Sequence, residues 1–378
     1  MNVRTSLAAA LLAVALPAAG QDIRIGGLLE TSGFIASLGQ PGLEGAQLAV
    51  EQVNAAGGID GRKIQFININ SESDNTKTVS GFKRLIEQEK VVAVIGPLSS
   101  GSAFAVADSV ESAAIPMIAN GATRGIVQPP EKRRYLFLAP LTDVVVQSVM
   151  LKDMQAKGIR KIAIVNSDVA FGTSGRDSLD KGAGAYGIAV VARETFGNSD
   201  TDVTPQLTKV RASDAEATVI WATGPGLAIA AKNHRALGIK TPLYLAHSSN
   251  DFNFLRLAGD AANGVLLPSS KLYVTAALPA SDPQKAVVEG FVADYQKKYG
   301  KPPATFAGNG YDAAMMLIAA IRKAGTDPVK LRDAIEATRD HVGVTALYSY
   351  SASDHYGTKP ESVVMLTVKD GKFTLAGK

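Results

Sequence analysis

The chain alternates between two hydrophobic patterns. Some apolar runs contain no polar residue, such as residues 91–95 and 115–119, which is typical of strands buried on both faces of a parallel sheet. Elsewhere apolar residues recur at helical spacing, as Ala46, Val50 and Val53 do. Since parallel strands need helical crossovers between them, the alternation predicts a doubly wound α/β fold.

The same patterns give the predicted elements in chain order. The first strands are predicted at 23–28, 64–69, 91–95 and 115–119. From Gln147 the alternation of helices and strands begins again. Helices are predicted at 147–157, 174–186, 204–212 and 227–237, and strands at 162–165, 188–195, 218–222 and 243–246. Further helices are predicted at 283–299, 310–324 and 328–337, before a hairpin of 363–368 and 373–375 around Asp370-Gly371.

The first twenty residues have the pattern of a secretory signal peptide. Arg4 precedes an apolar run at 6–16, and small residues follow at 17–20, which predicts cleavage before Gln21 or Asp22. The run is shorter than the about 20 apolar residues that a spanning helix needs. We therefore expect a periplasmic protein of about 358 residues, which is more than one hydrophobic core holds and predicts two lobes.

Composition and charge exclude several classes of protein. The chain has no cysteine, so it has neither a disulfide nor a lipid-anchoring cysteine. Its formal charge of +4 falls to +3 without the signal segment, and its one basic run, 131–134, is expected to be a solvated loop. This balance predicts no nucleic-acid partner.

Motifs of enzymes and metal sites are missing from the sequence. No G-x-G-x-x-G turn follows the first strand, and there is no P-loop and no G-x-S-x-G elbow. The four histidines have no metal-ligand spacing, and each is expected in a loop or at the surface: His234, His247, His341 and His355. We predict no catalytic residue, no metal and no cofactor.

Ligands of open parallel sheets bind beyond the carboxyl ends of the strands, so the residues there are the candidate binding residues. In the first lobe, the segments 98–102 and 120–124 carry hydroxyl groups at predicted helix starts, which favour an anion such as a carboxylate. Each hydroxyl can equally be an N-cap, but Ser100 and Thr123 are favoured as a pair. In the second lobe, Phe171 is expected in a loop, as a lid over the ligand or as loop packing. Trp221 is expected in the core, and the roles of Phe306 and Tyr311 stay open.

Several segments together resemble a known family. They include the run 42–64 with its Asn-Ala-Ala-Gly-Gly-Ile-Asp-Gly stretch, Val94-Ile95-Gly96-Pro97, Phe171-Gly172, Gly310-Tyr311-Asp312-Ala313 and Asp354-His355-Tyr356-Gly357. The chain resembles the leucine/isoleucine/valine-binding protein family, the periplasmic solute-binding components of branched-chain amino-acid ABC importers. The resemblance covers essentially the whole chain after residue 20.

This resemblance implies a type I periplasmic binding fold, with two lobes joined by three crossings near 139–143, 268–272 and 347–351. Lobe one would comprise 21–140 with 271–348, and lobe two 141–270 with 349–378. The implied partners are a small-molecule ligand and the membrane permease of an ABC transporter, and the protein is expected to act as a monomer.

The resemblance also implies where the ligand binds. Ser100 and Thr123 would hold a ligand carboxylate, the backbone of Gly121 would contribute, and Phe171 would cover the ligand from lobe two. The complete predicted ligand-binding set is Ser99, Ser100, Gly121, Ala122, Thr123, Phe171, Thr223, His247 and Asn309.

The chain departs from the family's pattern at three positions. His247 stands where amino-acid binders carry an acid for the ligand ammonium, and Asn309 stands near a bulky aromatic of the relatives, which implies a larger pocket. Arg124 is either an added cation near the cleft or an exposed loop residue. The predicted ligand is therefore an aromatic or branched aliphatic carboxylate. The alternatives are an amino-acid receptor whose ammonium partner is Glu30 or Asp168, and a ligand-sensing regulator.

Overall fold

The computed structural model describes residues 21–377, and the predicted signal segment lies outside them. The strands are β1 (Ile23–Gly27), β2 (Ile64–Asn68), β3 (Ala93–Ile95), β4 (Met117–Ala119), β5 (Leu136–Leu138), β6 (Lys161–Ser167), β7 (Ala189–Phe196), β8 (Ala217–Trp221), β9 (Leu243–Leu245), β10 (Leu266–Ser269), β11 (His341–Val342), β12 (Leu347–Tyr348), β13 (Val364–Lys369) and β14 (Lys372–Leu375). The helices are α1 (Ala36–Ala55), α2 (Asn75–Glu87), α3 (Ser100–Ala113), α4 (Asp143–Ala156), α5 (Ala170–Gly182), α6 (Thr204–Ala212), α7 (Pro225–Ala236), α8 (Phe252–Ala258), α9 (Lys285–Tyr299), α10 (Thr305–Ala324) and α11 (Pro328–Glu336).

Strands β1 to β5 form one parallel sheet in the order β2-β1-β3-β4-β5. Strands β3, β4 and β5 are buried along their whole length, which explains their uninterrupted apolar sequences. We call this sheet with α1 to α3 and α9 to α11 the first lobe. The chain order reverses at β1, so the segments after β1 and β3 lie at a topological switch point.

The second sheet has seven strands in the order β14-β13-β10-β9-β8-β6-β7. Strands β6 to β10 are parallel, while β13 and β14 add an antiparallel edge. The predicted hairpin is confirmed, because Asp370 and Gly371 between β13 and β14 both have positive φ, as a tight hairpin turn requires. We call this sheet with α4 to α8 the second lobe.

The last long helices return to the first lobe. Helix α10 packs along α1 and against β3 and β4. Glycines allow this approach: a Cβ at Gly45 would lie 1.8 Å from the Ala307 carbonyl oxygen, and one at Gly310 would lie 2.0 Å from that of Gly42. The fold is thus the predicted pair of doubly wound lobes, while the bounds of the lobes and crossings stay a prediction.

Several elements differ from the prediction. Helices α4, α5 and α10 begin four or five residues earlier than predicted, at Asp143, Ala170 and Thr305. The first turns of α5 and α10 contain Gly172, Gly308 and Gly310, whose low helix propensity conceals the helix starts. The short elements β5, α8 and β10 were absent from the prediction.

Three of the four histidines are buried: His234 in α7, His247 in a short 3₁₀ turn and His355 in a loop. The prediction of a loop or surface position was therefore wrong for His234, whereas His355 does lie in a loop. His355 lies against the carbonyl oxygens of Arg133 and Leu136 and the carboxylate of Glu336, which satisfy its ring nitrogens. His341 is half-buried. Among residues 21–377, no helix is both long enough and apolar enough to cross a membrane.

Candidate functional site

A cavity of about 480 Å³ lies between the two lobes, at the carboxyl edges of both sheets. Its walls come from the segments after β1, β3 and β4 in the first lobe and after β6, β8 and β9 in the second. Four helices also begin at its wall: α2, α3, α5 and α10. Its volume lies in the range of small-molecule sites. The cavity also lies where ligands of doubly wound sheets bind, beyond the carboxyl ends of the strands.

Most of the predicted binding residues meet in this cavity. Seven of them line it: Ser99, Ser100, Ala122, Phe171, Thr223, His247 and Asn309. Gly121 and Thr123 do not. Gly121 packs behind the wall, where a Cβ would lie 3.3 Å from the Ser100 Cα. Thr123 donates its hydroxyl to Ser100 Oγ at 3.1 Å and is buried, so it can act on a ligand only through Ser100.

A buried carboxylate holds the backbone of the segment 98–102 by hydrogen bonds. Glu30 is fully buried, and its two oxygens accept the backbone N–H groups of Leu98 and Ser99 at 2.9 and 3.0 Å. Burial raises the pKa of Glu30, against the opposing effect of those two N–H groups. Ser99 then caps α3, because its Oγ accepts the Ser102 N–H at 3.4 Å. The N-terminus of α3 is thereby presented to the cavity.

Phe171 lies in the first turn of α5 and not in the predicted loop. Glycines bring this turn close to the sheet: a Cβ at Gly172 would lie 2.1 Å from the Ser167 carbonyl oxygen, and one at Gly175 would lie 2.2 Å from the Trp221 ring. The Phe171 ring consequently packs 5.9 Å from that of Trp221, which lies in the core as predicted.

His247 faces the cavity as a neutral imidazole. Its ring packs edge-on at 5.4 Å from Phe171 and 6.0 Å from Trp221. Desolvation lowers the pKa of His247 to about 4, and the nearby Leu141 backbone opposes this shift. Neither ring nitrogen has a hydrogen-bond partner within residues 21–377. The imidazole can therefore donate one hydrogen bond to a ligand and accept another.

An apolar cluster forms another part of the wall. It consists of Ile35, Leu38, Leu98 and Phe306, with Phe34 packed against them, and all five line the cavity. Phe306, whose role the sequence left open, thus belongs to the site. Tyr311 does not line the cavity, and its hydroxyl donates to Gln52 Oε1 at 2.8 Å.

Charged side chains contribute little to this wall. Among the described residues that line it, none is Lys or Arg, and Asp74 is the one acid. Asp74 caps α2 by accepting the Lys77 N–H at 2.8 Å. Asp168 and Glu30 do not line the cavity, and Asp168 accepts the Asn198 N–H at 2.9 Å.

Arg124 lies outside the cavity. Its guanidinium lies 5.4 Å from the centre of the Tyr356 ring, and its backbone N–H donates to Asp143 Oδ1 at 3.1 Å. Within residues 21–377, no group of three metal-ligating side chains is found.

The comparisons with known proteins agree with this geometry. A family model described as periplasmic binding protein matches residues 22–372. The chain belongs to the periplasmic binding protein family. It is 25% identical over 382 residues to Leu/Ile/Val-binding protein homolog 7 from Brucella suis biovar 1 (strain 1330), over 96% of this chain and 93% of that protein.

Two solved structures have the fold of this periplasmic binding protein. An extracellular ligand-binding receptor from Rhodopseudomonas palustris HaA2 has a TM-score of 0.87 and 25% identity, and the match covers 94% of this chain and 99% of that one. The branched-chain amino acid transporter substrate binding protein LivJ from Streptococcus pneumoniae, in complex with isoleucine, has a TM-score of 0.81 and 28% identity over 93% and 97%. The predicted resemblance and the type I fold are confirmed.

The predicted ligand-binding set omitted three polar or aromatic residues of this periplasmic binding protein's cavity, although Asn120 and Asn250 lie in strand-end segments that the sequence indicated. Asn120 and Asn250 line it and are buried, and Phe34 joins them from the segment after β1. Asn120 follows β4 directly, and Asn250 lies a few residues beyond β9. Their position at strand ends is the signal that could have identified them.

Proposed function

We propose that this protein is the periplasmic receptor of an ABC importer and captures a small carboxylate, aromatic or branched aliphatic, in the cavity between its lobes. One observation carries the proposal: helices α3 and α5, from different lobes, both begin at the cavity, and none of the described residues that line it is Lys or Arg. Helix α5 has no side-chain cap, so the N–H groups of its first turn are free to bind an anion. The Ser100 hydroxyl adds a donor on the other wall.

A buried ligand ammonium needs a carboxylate partner, and this requirement distinguishes amino acids from acids that have no ammonium. Desolvating an unpaired ammonium costs several kcal/mol. In the described wall the one acid, Asp74, already caps α2, and His247 is neutral. The N-termini of four helices add positive potential, which disfavours a cation further. An acid without an ammonium avoids both costs.

The apolar cluster supports the aromatic or branched part of the ligand. Phe34, Phe171 and Phe306 line the cavity, and aromatic side chains bury large apolar areas. Transport is supported by the family and by the predicted signal peptide at 1–20, and the absence of catalytic motifs supports binding without chemical change. The partner would be the permease of the importer.

A thermal-shift screen on the protein lacking residues 1–20 tests the ligand class. Ligand at 100 times its Kd adds about 2.7 kcal/mol of stability, which is a clear rise in Tm. We expect benzoate-like, phenylpropanoid or 2-oxo acids to raise Tm more than leucine, isoleucine or valine, and to be recovered unchanged. Greater stabilisation by leucine would contradict the carboxylate proposal, and turnover of a ligand would contradict the receptor.

The second candidate is a receptor for a branched-chain or other hydrophobic amino acid. It is favoured by the names of the relatives, by the isoleucine in the pneumococcal structure and by Asp74 in the wall. Under this alternative, Asp74→Asn abolishes stabilisation by leucine, while Asp168→Asn, at a residue that does not line the cavity, leaves it unchanged. Under the carboxylate proposal, neither variant changes the stabilisation by an acid more than twofold in Kd.

Two matched Gly→Ala variants test whether the lobes close on the ligand. A Cβ at Gly224 in the second lobe would lie 2.9 Å from the Phe34 carbonyl oxygen in the first, whereas one at Gly325 would meet no atom within 4 Å. The φ and ψ angles are +67° and −157° at Gly224 and +74° and −154° at Gly325, so both Ala variants carry similar backbone strain. We expect only Gly224→Ala to weaken binding, by about tenfold, and to reduce the ligand-induced contraction seen by X-ray scattering. Equal losses in both variants would show that the lobes do not close on each other here.

A further inference from the structure

The cavity keeps more unpaired polar atoms than a carboxylate can satisfy. Four buried side chains in its wall have amide or imidazole atoms with no hydrogen-bond partner within residues 21–377: Asn120, His247, Asn250 and Asn309. They are between 1% and 7% exposed. Buried polar atoms without partners are destabilising and rare, so a cluster of them around one cavity indicates a ligand that bonds to them.

At Asn250 the orientation of the side-chain amide is set by one hydrogen bond, because its Nδ2 donates to the Pro268 carbonyl oxygen at 3.0 Å. The backbone carbonyl of Asn250 separately accepts the Tyr273 hydroxyl at 2.7 Å. The remaining Oδ1 is an acceptor without a donor. A ligand carboxylate cannot supply that donor at neutral pH, because an ionised carboxylate only accepts hydrogen bonds.

A second acceptor lies beside the apolar cluster. Asn309 follows Phe306 by three residues on α10, so both side chains lie on one face of the helix and both line the cavity. Asn309 Oδ1 is buried and has no partner in the described part of the chain. The Asn309 amide can therefore accept a hydrogen bond from a donor next to the apolar part of the ligand.

We infer that the ligand is an acid whose apolar part carries a hydroxyl group, as in hydroxy-substituted aromatic acids. This inference rests on the proposed carboxylate function and adds a second recognition element to it. A hydroxyl donates to Asn309 or Asn250 and accepts from Asn120 or His247 without bringing a charge into the cavity. An ammonium would also donate, but it would meet the positive ends of helices, and the one carboxylate of the described wall, Asp74, already caps α2.

Two pairs of acids, measured by titration calorimetry on the protein lacking residues 1–20, test this inference. The pairs are benzoate with 4-hydroxybenzoate and 3-phenylpropanoate with 3-(4-hydroxyphenyl)propanoate. We expect the hydroxylated acid of at least one pair to bind roughly tenfold or more tightly, because a site with polar groups rejects the analogue that leaves them unpaired. Equal or weaker binding of the hydroxylated acid in both pairs overturns the inference but leaves the carboxylate proposal standing.

Variants identify the residues that bind the hydroxyl. Asn309→Leu and Asn120→Leu should reduce the preference for the hydroxylated acid to less than about threefold in at least one case. Ligand-free Asn309→Leu should unfold at the same temperature as the wild type or higher, because it removes an unpaired polar atom. Asn263→Leu, an exposed control remote from the cavity, should keep the full preference. A preference that persists in both cavity variants overturns the assignment of Asn309 and Asn120 to the hydroxyl group. If leucine binds and none of the four acids does, the carboxylate proposal itself is overturned.

Discussion

Two segments of the cavity wall use their polar groups in different ways. In the segment 98–102, the polar groups bond within the protein: Glu30 accepts the N–H groups of Leu98 and Ser99, and Ser99 Oγ caps α3. These bonds form without a ligand. Under the proposed function, the segment is therefore an anion site that exists before the ligand binds.

The segment 247–250 of the second lobe is also held by internal hydrogen bonds, but some of its polar atoms have no hydrogen-bond partner within residues 21–377. The Ser248 and Ser249 hydroxyls donate to the carbonyl oxygens of Ala222 and Ala246 at 2.5 and 2.7 Å. The His247 nitrogens and Asn250 Oδ1 nevertheless have no partner in residues 21–377. Substitutions that remove the internal bonds of the first segment should therefore lower stability, whereas substitutions at the unpaired groups of the second should lower affinity and leave the ligand-free protein stable.

The largest effect is expected from Glu30→Ala. It removes the acceptor of two buried N–H groups, each worth about 1–3 kcal/mol when left unpaired, so the free energy of unfolding should fall by about 2–6 kcal/mol. Urea denaturation measures it. The control is Glu72→Ala, which removes an exposed ion pair with Lys77 and should change stability by less than about 0.5 kcal/mol. A loss below about 1 kcal/mol in Glu30→Ala would remove the distinction between the segments.

The next effect concerns pH. Desolvation lowers the pKa of both His247 and His234 to about 4, below the ordinary value of 6.5. A depressed pKa means that the unfolded chain binds the proton first, so each histidine contributes stability above pH 6.5 that is lost as pH falls towards 4. The difference corresponds to about 3 kcal/mol for each residue.

Matched variants separate stability from binding at these two histidines. Urea denaturation between pH 4 and pH 7 should show a shallower loss of stability in both His247→Gln and His234→Gln. At pH 7, only His247→Gln should change ligand affinity, because His234 does not line the cavity. An unchanged Kd in His247→Gln would place this ring with the structural residues of the wall.

The sequence predicted the fold and the strand-end segments well because both follow from local patterns. Uninterrupted apolar runs located most strands, and the positions after them located Ser100, Thr223 and His247 in one cavity. Hydroxyl groups at helix starts were correctly expected as caps or anion contacts, and Ser99 is a cap. Periodicity could not locate the starts of α5 and α10, where glycines replace helix formers.

The hydrogen-bond partners of the side chains could not be predicted from the sequence. Thr123 was expected at the ligand, and Glu30 was the ammonium partner only in the amino-acid alternative; their oxygens bond to residues 23 and 68 to 69 positions away in the chain. The unpaired amides of Asn120 and Asn250 become visible only when every neighbour is known. Sequence thus indicated which strand ends form the cavity but not which polar groups remain available in it.

The smallest effects test whether Ser100 contacts the ligand directly and Thr123 indirectly. Because Ser100 Oγ accepts the Thr123 hydroxyl at 3.1 Å, its own proton is free to be donated to a carboxylate. Ser100→Ala should therefore weaken binding by about 1.5–3 kcal/mol, the value of a hydrogen bond to a charged group. Thr123→Ala should cost less, about 0.5–1.5 kcal/mol, because it removes a neutral bond that only orients Ser100. Thr123→Ser keeps the hydroxyl and serves as the control, with affinity within about twofold of the wild type. Titration calorimetry with one bound acid measures all three, and equal losses in the two Ala variants would show that Thr123 contacts the ligand as directly as Ser100 does.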